Sequence, residues 1–173
     1  MKVKDLMIPV SDCPQVSEAR TIYDAIVMLE ASRERFRQTG YLPRVLLVRD
    51  EALRVIGSLR HADMLRAFAG GADEGGGPKP SSDSWEARMT ACRRSFGNLL
   101  STARRVKVKA VMHLPSDMEY VAEDAPIEEA ACRLTAGPHL HLFVRSGEEI
   151  TGILRMSDLF LRLCEEMKKP GLD

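Results

Sequence analysis

A basic and an acidic side chain follow a glycine in the same order at two places in the chain. The first motif is Gly57–Asp63 and carries Arg60, and the second motif is Gly152–Asp158 and carries Arg155. Each motif follows an apolar run and opens a segment with the apolar spacing of a helix. A glycine that ends a strand, followed by a basic residue and an acid at a helix start, predicts a place to hold a phosphorylated and hydroxylated ligand.

The elements that must position these motifs are themselves repeated. A shift of 105 positions pairs Val3 with Val108 and Met7 with Met112, and further along a shift of 95 positions pairs the two motifs. The first copy therefore carries about ten extra residues between its first helix and the next strand, an insertion that surface loops tolerate. Two copies of one supersecondary unit thus account for most of the chain.

Each copy contains the pattern of a short extended piece, a helix, a hairpin and a second helix. In the first copy the extended piece is predicted at 15–17 and the first helix from Thr21 to a stop at Gly40. The hairpin is predicted at 45–48 with 54–56, and the second helix at 62–69. In the second copy the extended piece is predicted at 120–121, the first helix at 127–136, the hairpin at 140–144 with 150–154, and the second helix at 158–168. The predicted helix starts are Thr21 with Asp24, Pro126 and Ser157.

A tether and a helix lie between the two copies. Residues 70–84 are rich in glycine, proline and serine, which predicts a flexible linker. The helix predicted over 85–105 carries one apolar stripe, formed by Trp85, Met89, Cys92, Phe96, Leu99 and Ala103. This stripe either docks on the core of the chain itself or forms an interface with a partner. The predicted domains are therefore 1–69, 70–84, 85–105 and 106–173.

Composition narrows the classes of function. The 173 residues include 25 basic and 25 acidic side chains, so a formal net charge of zero gives no support to nucleic-acid or anionic-membrane binding. The cysteines at positions 13, 92, 132 and 164 form no CxxC pair, which predicts free thiols in a reducing cytoplasm. No apolar run reaches membrane-spanning length, and the sequence contains neither a nucleophile elbow nor a phosphate-binding glycine loop. We therefore expect a cytoplasmic protein without catalytic activity.

The repeated unit resembles the cystathionine-β-synthase (CBS) domain, and the pair resembles the tandem known as a Bateman module. The resemblance is carried by Val3–Met7 and Val108–Met112, by the helix openings Thr21–Ala25 and Pro126–Ala130, and by the two motifs. It implies an α/β (α+β) fold in which two β-α-β-β-α repeats pack about a pseudo-twofold axis, with the linker and the amphipathic helix inserted. It also implies two clefts between the repeats that commonly accept an adenosine-containing ligand.

The family resemblance assigns roles to the motif residues. The acid of the family motif holds the ribose hydroxyls, which gives this role to Asp63 and Asp158; a carboxylate can accept two hydrogen bonds from a vicinal diol. The family usually has a hydroxyl residue for phosphate where this chain has Arg60 and Arg155. Because a guanidinium binds phosphate bidentately, both arginines are candidate phosphate ligands. Alternatively, the arginines pair with acids elsewhere and the clefts hold no ligand.

The resemblance also implies a pocket for the base, built from the loop before the first strand and the start of the second strand. The matching residues are Met7, Ile8, Val16 and Val45 in the first copy and Met112, His113, Val121 and His141 in the second. Core packing is the simpler interpretation for the aliphatic members, above all Val16 and Val121. His113, His139 and His141 could stack on a base, bind phosphate or titrate near neutral pH, but their spacing defines no metal site.

The function implied by the resemblance is that of a non-catalytic sensor. Such a module binds AMP, ADP, ATP or S-adenosylmethionine as a regulatory ligand, requires no cofactor, and transmits occupancy to a protein partner as a homodimer. The alternative is a structural module for dimerisation or protein interaction, with unoccupied clefts and with contacts made by helix 85–103.

Overall fold

The computed structural model describes residues 1–36, 44–71 and 84–168. The helix stop predicted at Gly40 and most of the tether predicted at 70–84 lie outside the described residues. The chain divides into two compact units. We call Pro14–Leu114 the contiguous unit, and Met1–Cys13 together with Pro115–Asp173 the split unit.

The strands and helices follow the predicted order within each copy. The strands are β1 (Ile8–Pro9), β2 (Gln15–Ser17), β3 (Val45–Arg49), β4 (Val55–Arg60), β5 (Tyr120–Ala122), β6 (His141–Ser146) and β7 (Glu149–Arg155). The helices are α1 (Ile22–Phe36), α2 (His61–Arg66), α3 (Trp85–Gly97), α4 (Leu99–Arg105), α5 (Ile127–Thr135) and α6 (Met156–Met167). A π-helical turn, Ala67–Gly71, continues α2. Within the described ranges, no helix is both long and apolar enough to span a membrane.

The contiguous unit contains the three-stranded sheet β2-β3-β4. Strand β2 runs parallel to β3, and β3 pairs antiparallel with β4. Helix α1 begins as predicted, because the amide of Thr21 donates to Asp24 (3.0 Å) and the amide of Asp24 donates to the Thr21 hydroxyl (3.2 Å). The inward side chains of this sheet and helix form one core, which includes Val16, Ile22, Ala25, Leu46, Val48 and Leu59.

The split unit contains the four-stranded sheet β1-β7-β6-β5. Strand β5 is parallel to β6, and the hairpin β6–β7 turns at Gly147, whose φ of +61° is the conformation that favours glycine. Helix α5 buries one apolar edge and helix α6 buries Leu159, and the core includes Val121, Ile127, Ala130, Leu142, Val144 and Leu154.

The opening segments of the two copies are exchanged between the units. In the contiguous unit the amide of Val108 donates to the carbonyl of Arg20 (2.8 Å), and in the split unit the amide of Val3 donates to the carbonyl of Ala125 (3.0 Å). Both valines are fully buried in the unit where they bond. The spatial units therefore do not coincide with the domains 1–69 and 106–173 read from the sequence, because each opening segment packs on the strands and helices of the other copy.

Two predicted helix features are wrong. The helix predicted over 85–105 is broken at Asn98, whose φ of −126° and ψ of 39° are not helical. Helix α3 ends at Gly97, directly before this residue. Helix α6 begins at Met156 rather than after Ser157, because β7 runs directly into it through the extended residue Arg155. Ser157 lies in the first turn and does not cap the helix.

The apolar stripe of α3 and α4 is only partly covered. The ring of Phe96 lies 6.3 Å from that of Phe68, so α3 packs there on the π-helical turn of its own unit. Ala103 is buried, whereas Trp85 and Leu99 are exposed.

Candidate functional site

The glycine of each motif lies directly beneath a crossing main chain. A Cβ added to Gly57 would come within 2.4 Å of the carbonyl oxygen of His113, and one added to Gly152 within 2.5 Å of that of Ile8. These contacts are closer than real Cβ atoms allow, so only glycine permits the crossing. The crossing chain then pairs with the strand, because Ser58 and His113 exchange backbone hydrogen bonds of 3.0 and 2.8 Å.

The exchange of opening segments changes the membership of the predicted base pockets. Ile8 pairs with Ile153 in β7, next to the second motif, although it was grouped with the first copy. His113 pairs with Ser58, inside the first motif, although it was grouped with the second copy. Met7, Ile8, Met112 and His113 therefore each lie in the unit of the opposite motif, and their assignment to a base pocket stays a prediction.

The other predicted pocket residues fall into two groups. Val16 and Val121 are core residues, and Met7 and Met112 pack against those cores, as simple core packing requires. Val45 lies opposite Arg60 in the β3–β4 ladder, and His141 lies opposite Arg155 in the β6–β7 ladder. Directly opposite residues have Cβ atoms about 5 Å apart, so these two residues adjoin the arginines of the motifs.

The second motif forms an arginine–aspartate pair at the edge of a cleft. The Arg155 guanidinium donates from Nε and Nη2 to the two carboxylate oxygens of Asp158. The Asp158 side chain retains 16% of its accessible surface. The cleft has a volume of about 660 Å³ and is lined by Met1, Asp5, Leu6, Ile8, Arg155, Asp158, Leu161, Arg162 and Glu165. This volume is within the range of small-molecule sites, and the cleft lies wholly in the split unit.

The first motif forms a more enclosed ion cluster. Asp63 has no accessible surface and accepts four hydrogen bonds of 2.8 to 2.9 Å, three from Arg60 and one from Arg66. Burial opposes ionisation of this carboxyl, but the hydrogen bonds from Arg60 and Arg66 outweigh burial and lower the pKa of Asp63 below its ordinary value. Asp63 is therefore a buried carboxylate held by two guanidinium groups.

Each motif arginine therefore binds the acid of its own motif. The sequence left open whether these arginines contact phosphate or pair with acids elsewhere; the observed pairing is local, three residues apart. A carboxylate offers about four acceptor positions, and the arginine alone fills two of those on Asp158. The assignment of ribose to the acids and of phosphate to the arginines stays a prediction.

The histidines of the split unit lie apart from any metal-like cluster. His141 is buried, and its ring meets Phe143 edge to face at 5.3 Å. His139 Nδ1 lies 3.5 Å from the buried carboxylate of Glu119, which also accepts hydrogen bonds from Ser116. In the part of the chain that the structure describes, no three His, Cys, Asp or Glu side chains are grouped so as to hold a metal ion.

Sequence reasoning missed Arg66 and most of the residues that line the cleft. Arg66 lies three residues after Asp63 on a helix, and this spacing was a usable signal because i and i+3 side chains are neighbours. Asp5 and Arg162 carried no such signal, since they reach the cleft from the exchanged opening segment and from the outer face of α6.

Comparison with known proteins identifies the fold. Residues 108–165 match the model of the CBS domain family. None of the curated proteins compared with the chain matches it. Among solved structures, the CBS-pair protein CBSX2 from Arabidopsis thaliana is similar over 97% of this chain and 97% of its own, with 16% identity and a TM-score of 0.64.

Two further structures agree with this result. CBSX2 in complex with AMP shares 18% identity over 97% of this chain and 98% of its own, with a TM-score of 0.60. A CBS-domain-containing protein from Bacillus anthracis shares 18% identity over 96% of this chain and 94% of its own, with a TM-score of 0.63. The resemblance to a tandem CBS pair and the mixed α and β fold predicted from the sequence are confirmed.

Proposed function

We propose that this chain, which has the CBS-pair fold, is a non-catalytic regulatory module that binds an adenosine-containing ligand at the second motif. The observation that carries the proposal is the Arg155–Asp158 pair at the edge of a cleft of about 660 Å³. A structural neighbour, CBSX2, is known in complex with AMP, which supports an adenine nucleotide as the ligand class. AMP, ADP, ATP and S-adenosylmethionine are the candidates, and no cofactor is required.

The chemistry of the pair suits a ribose and a phosphate. After the two bonds from Arg155, each oxygen of Asp158 keeps one acceptor position, which matches the two hydroxyls of a vicinal diol. The Arg155 guanidinium supplies the positive charge for a phosphate beside that diol. Ile8 lines the cleft and His141 lies opposite Arg155, so these two side chains are our candidates for the walls of the base pocket.

Isothermal titration of the full chain with the four candidate ligands tests this proposal. We expect at least one of them to bind, and we expect Asp158→Ala to abolish that binding because the diol loses its acceptor. Asp117→Ala is the matched control, since Asp117 is an exposed acid of the same unit outside the cleft. No heat with any of the four ligands would overturn the proposal.

The proposed role is regulatory rather than catalytic, and the proposed location is the cytoplasm. The four cysteines are free thiols, as the sequence predicted. Cys13 is buried, and burial is the main cause that raises its pKa to about 12, so its thiol stays protonated and is a poor nucleophile. A test for hydrolysis of ATP by the purified chain addresses the catalytic alternative, and turnover that Asp158→Ala removes would contradict our view.

A structural dimerisation module is the second candidate function, and helix α6 favours it. Met156, Phe160, Leu163 and Met167 are spaced by four, three and four residues and are 37%, 63%, 44% and 75% exposed. This is the spacing of a helix–helix interface, and it gives the homodimer predicted from the family resemblance a specific surface on α6 rather than on helix 85–103. Phe160→Glu should reduce the mass measured by light scattering to that of one chain, whereas Glu165→Gln should not. A single-chain mass for the unmodified protein would exclude this candidate.

A further inference from the structure

The two motifs differ in how many acceptor positions of the acid are already filled. Asp63 accepts four hydrogen bonds, two on each oxygen, which equals the capacity of a carboxylate. Within the described residues, Asp158 accepts hydrogen bonds from Arg155 alone, one on each oxygen. The first carboxylate is therefore saturated by the protein, and the second is half filled.

The difference has two sources, one in the sequence after the acid and one in the backbone before it. In the first motif Arg66, one turn after Asp63, donates from Nη1 to Oδ1 at 2.9 Å. The equivalent residue in the second motif is Leu161, which has no donor and is 60% exposed at the lining of the cleft. The backbone amide of Arg60 supplies the fourth bond, because Asp63 caps its own helix.

The acid with more hydrogen bonds is also the less exposed of the two. The Asp63 side chain has no accessible surface, and the guanidinium groups of Arg60 and Arg66 cover it. The Asp158 side chain keeps 16% of its surface and faces a cleft. A ribose hydroxyl at Asp63 would have to displace a guanidinium donor, and would so replace an ion pair with a hydrogen bond from an uncharged group.

We propose that Arg66 closes the first motif, so that this chain binds one adenosine-containing ligand, at Asp158, instead of one at each motif. This inference rests on the proposed function. It adds which of the two motifs accepts the ligand and which residue prevents binding at the other. Arg66 is not a ligand contact. It acts by occupying the acceptor that a ribose hydroxyl would need.

Reciprocal exchange of the two equivalent residues tests the proposal on the full chain. Titration of the unmodified protein with AMP should give one AMP per chain. Arg66→Leu should raise the stoichiometry to two, because it frees one acceptor position on Oδ1 of Asp63, enough for one hydroxyl of the ribose. Leu161→Arg should weaken binding at Asp158 by about tenfold or more, because an arginine there fills an acceptor with a charge-assisted bond.

Two controls separate closure from general damage. Arg133→Leu removes another partly exposed arginine that bonds an acid on its own helix, and it should leave both stoichiometry and affinity unchanged. Leu161→Arg leaves the first motif untouched, so it tests the mechanism even if Arg66→Leu fails to fold. Urea unfolding of each variant reports its stability.

The outcomes distinguish this inference from the proposed function. Two AMP per chain in the unmodified protein, with Asp63→Asn removing one, overturns the closure and leaves the proposed function intact. A stoichiometry of one in well-folded Arg66→Leu, or unchanged affinity in Leu161→Arg, also overturns the closure. Binding by Arg66→Leu but not by the unmodified protein supports closure and overturns the assignment to Asp158. No binding by either protein, with AMP, ADP, ATP or S-adenosylmethionine, overturns both.

Discussion

The two units hold their opening segments by equivalent backbone hydrogen bonds and differ in the hydrogen bonds that reach the acid of each motif. In both units the exchanged opening segment is held by backbone bonds, made by the amide of Val3 in the split unit and that of Val108 in the contiguous unit. In both units the motif glycine lies beneath a crossing carbonyl. Yet Asp63 accepts four hydrogen bonds and Asp158 accepts two.

This difference shows that the framework and the site are determined by different residues. Buried apolar side chains, glycines and backbone bonds position each motif, and they are repeated in both copies. At the position three residues after the acid, Arg66 of the first copy fills one acceptor of Asp63, whereas Leu161 of the second copy has no donor. Two copies with the same framework can therefore differ in how many acceptor positions their acids leave open.

The largest expected effect comes from removing the shared feature, the motif glycine. Gly57→Ala and Gly152→Ala each place a Cβ 2.4 to 2.5 Å from a backbone oxygen, which cannot move as a side-chain end can. We expect each to lower the free energy of unfolding by about 3–4 kcal/mol, from overpacking and the loss of the backbone bonds at the crossing. Urea denaturation followed by circular dichroism measures this loss.

Gly97→Ala is the matched control for the glycine variants. Gly97 ends α3, and an added Cβ there would meet nothing within 4 Å. We expect no loss and a gain of up to about 1 kcal/mol, because alanine has the higher helix propensity. Wild-type stability for either motif variant would mean that the crossing does not require glycine.

The next effect separates the two acids. Asp63→Asn should cost about 2–3 kcal/mol, because a buried charge with four hydrogen bonds is replaced by an amide that cannot accept on both sides. Asp158→Asn should cost about 1 kcal/mol, because its pair with Arg155 is partly exposed. Urea midpoints of the two variants give the comparison, and equal losses would contradict the difference in burial.

The copied elements were predictable from the sequence, and the exchange between copies was not. The repeat of Val3 at Val108 and of Gly57 at Gly152 gives the strands, hairpins and long helices in order. The same equivalence does not show on which copy an opening segment packs, because Val3 and Val108 are identical side chains that fit either core. Which unit an opening segment joins depends on the tertiary path of the chain, and the repeat pattern of the sequence does not determine that path.

The candidate site was predictable in part, for a related physical reason. The motif residues Arg60, Asp63, Arg155 and Asp158 were found from their spacing, and Arg66 could have been found from helical spacing. The complete burial of Asp63 depends on tertiary packing, and so does the cleft beside Asp158. These properties distinguish a saturated carboxylate from an accessible one.

A smaller, pH-dependent effect follows from the lowered pKa of Asp63. The folded form holds the carboxylate ionised more strongly than the unfolded chain, whose pKa is about 3.9. The stabilisation by Asp63 is thus fully present above that value and is lost as pH falls below it through the folded pKa. The stability difference between wild type and Asp63→Asn should be constant from pH 5 to 7 and shrink toward pH 3, measured by urea unfolding at each pH. A difference that grows on acidification would contradict the sign of this shift.

The smallest expected effect concerns two exposed ion pairs of the split unit whose shared acid has no counterpart in the sequence of the contiguous unit. Lys2 and Lys4 bind the carboxylate of Asp124 at 2.8 and 2.9 Å, and their hydrogen bonds are the main cause that lowers the pKa of Asp124 to about 2. The equivalent lysines of the contiguous unit are Lys107 and Lys109, and Ala19 occupies the position equivalent to Asp124. NMR titration should give Asp124 a pKa near 2 in wild type. In the double variant Lys2→Gln, Lys4→Gln that pKa should rise toward about 3.9.

Ala19→Asp places the missing acid in the contiguous unit and tests whether the equivalence of the two frameworks extends to the surface. Since Lys107 and Lys109 correspond to Lys2 and Lys4, the introduced carboxyl should also titrate below its ordinary pKa. Its effect on the urea midpoint should be slight and should fade with added salt, because exposed ion pairs are screened by water and ions. An ordinary pKa for the introduced carboxyl would show that the equivalence ends at the backbone, and the different hydrogen bonding of Asp63 and Asp158 would then be one of several side-chain differences between the copies.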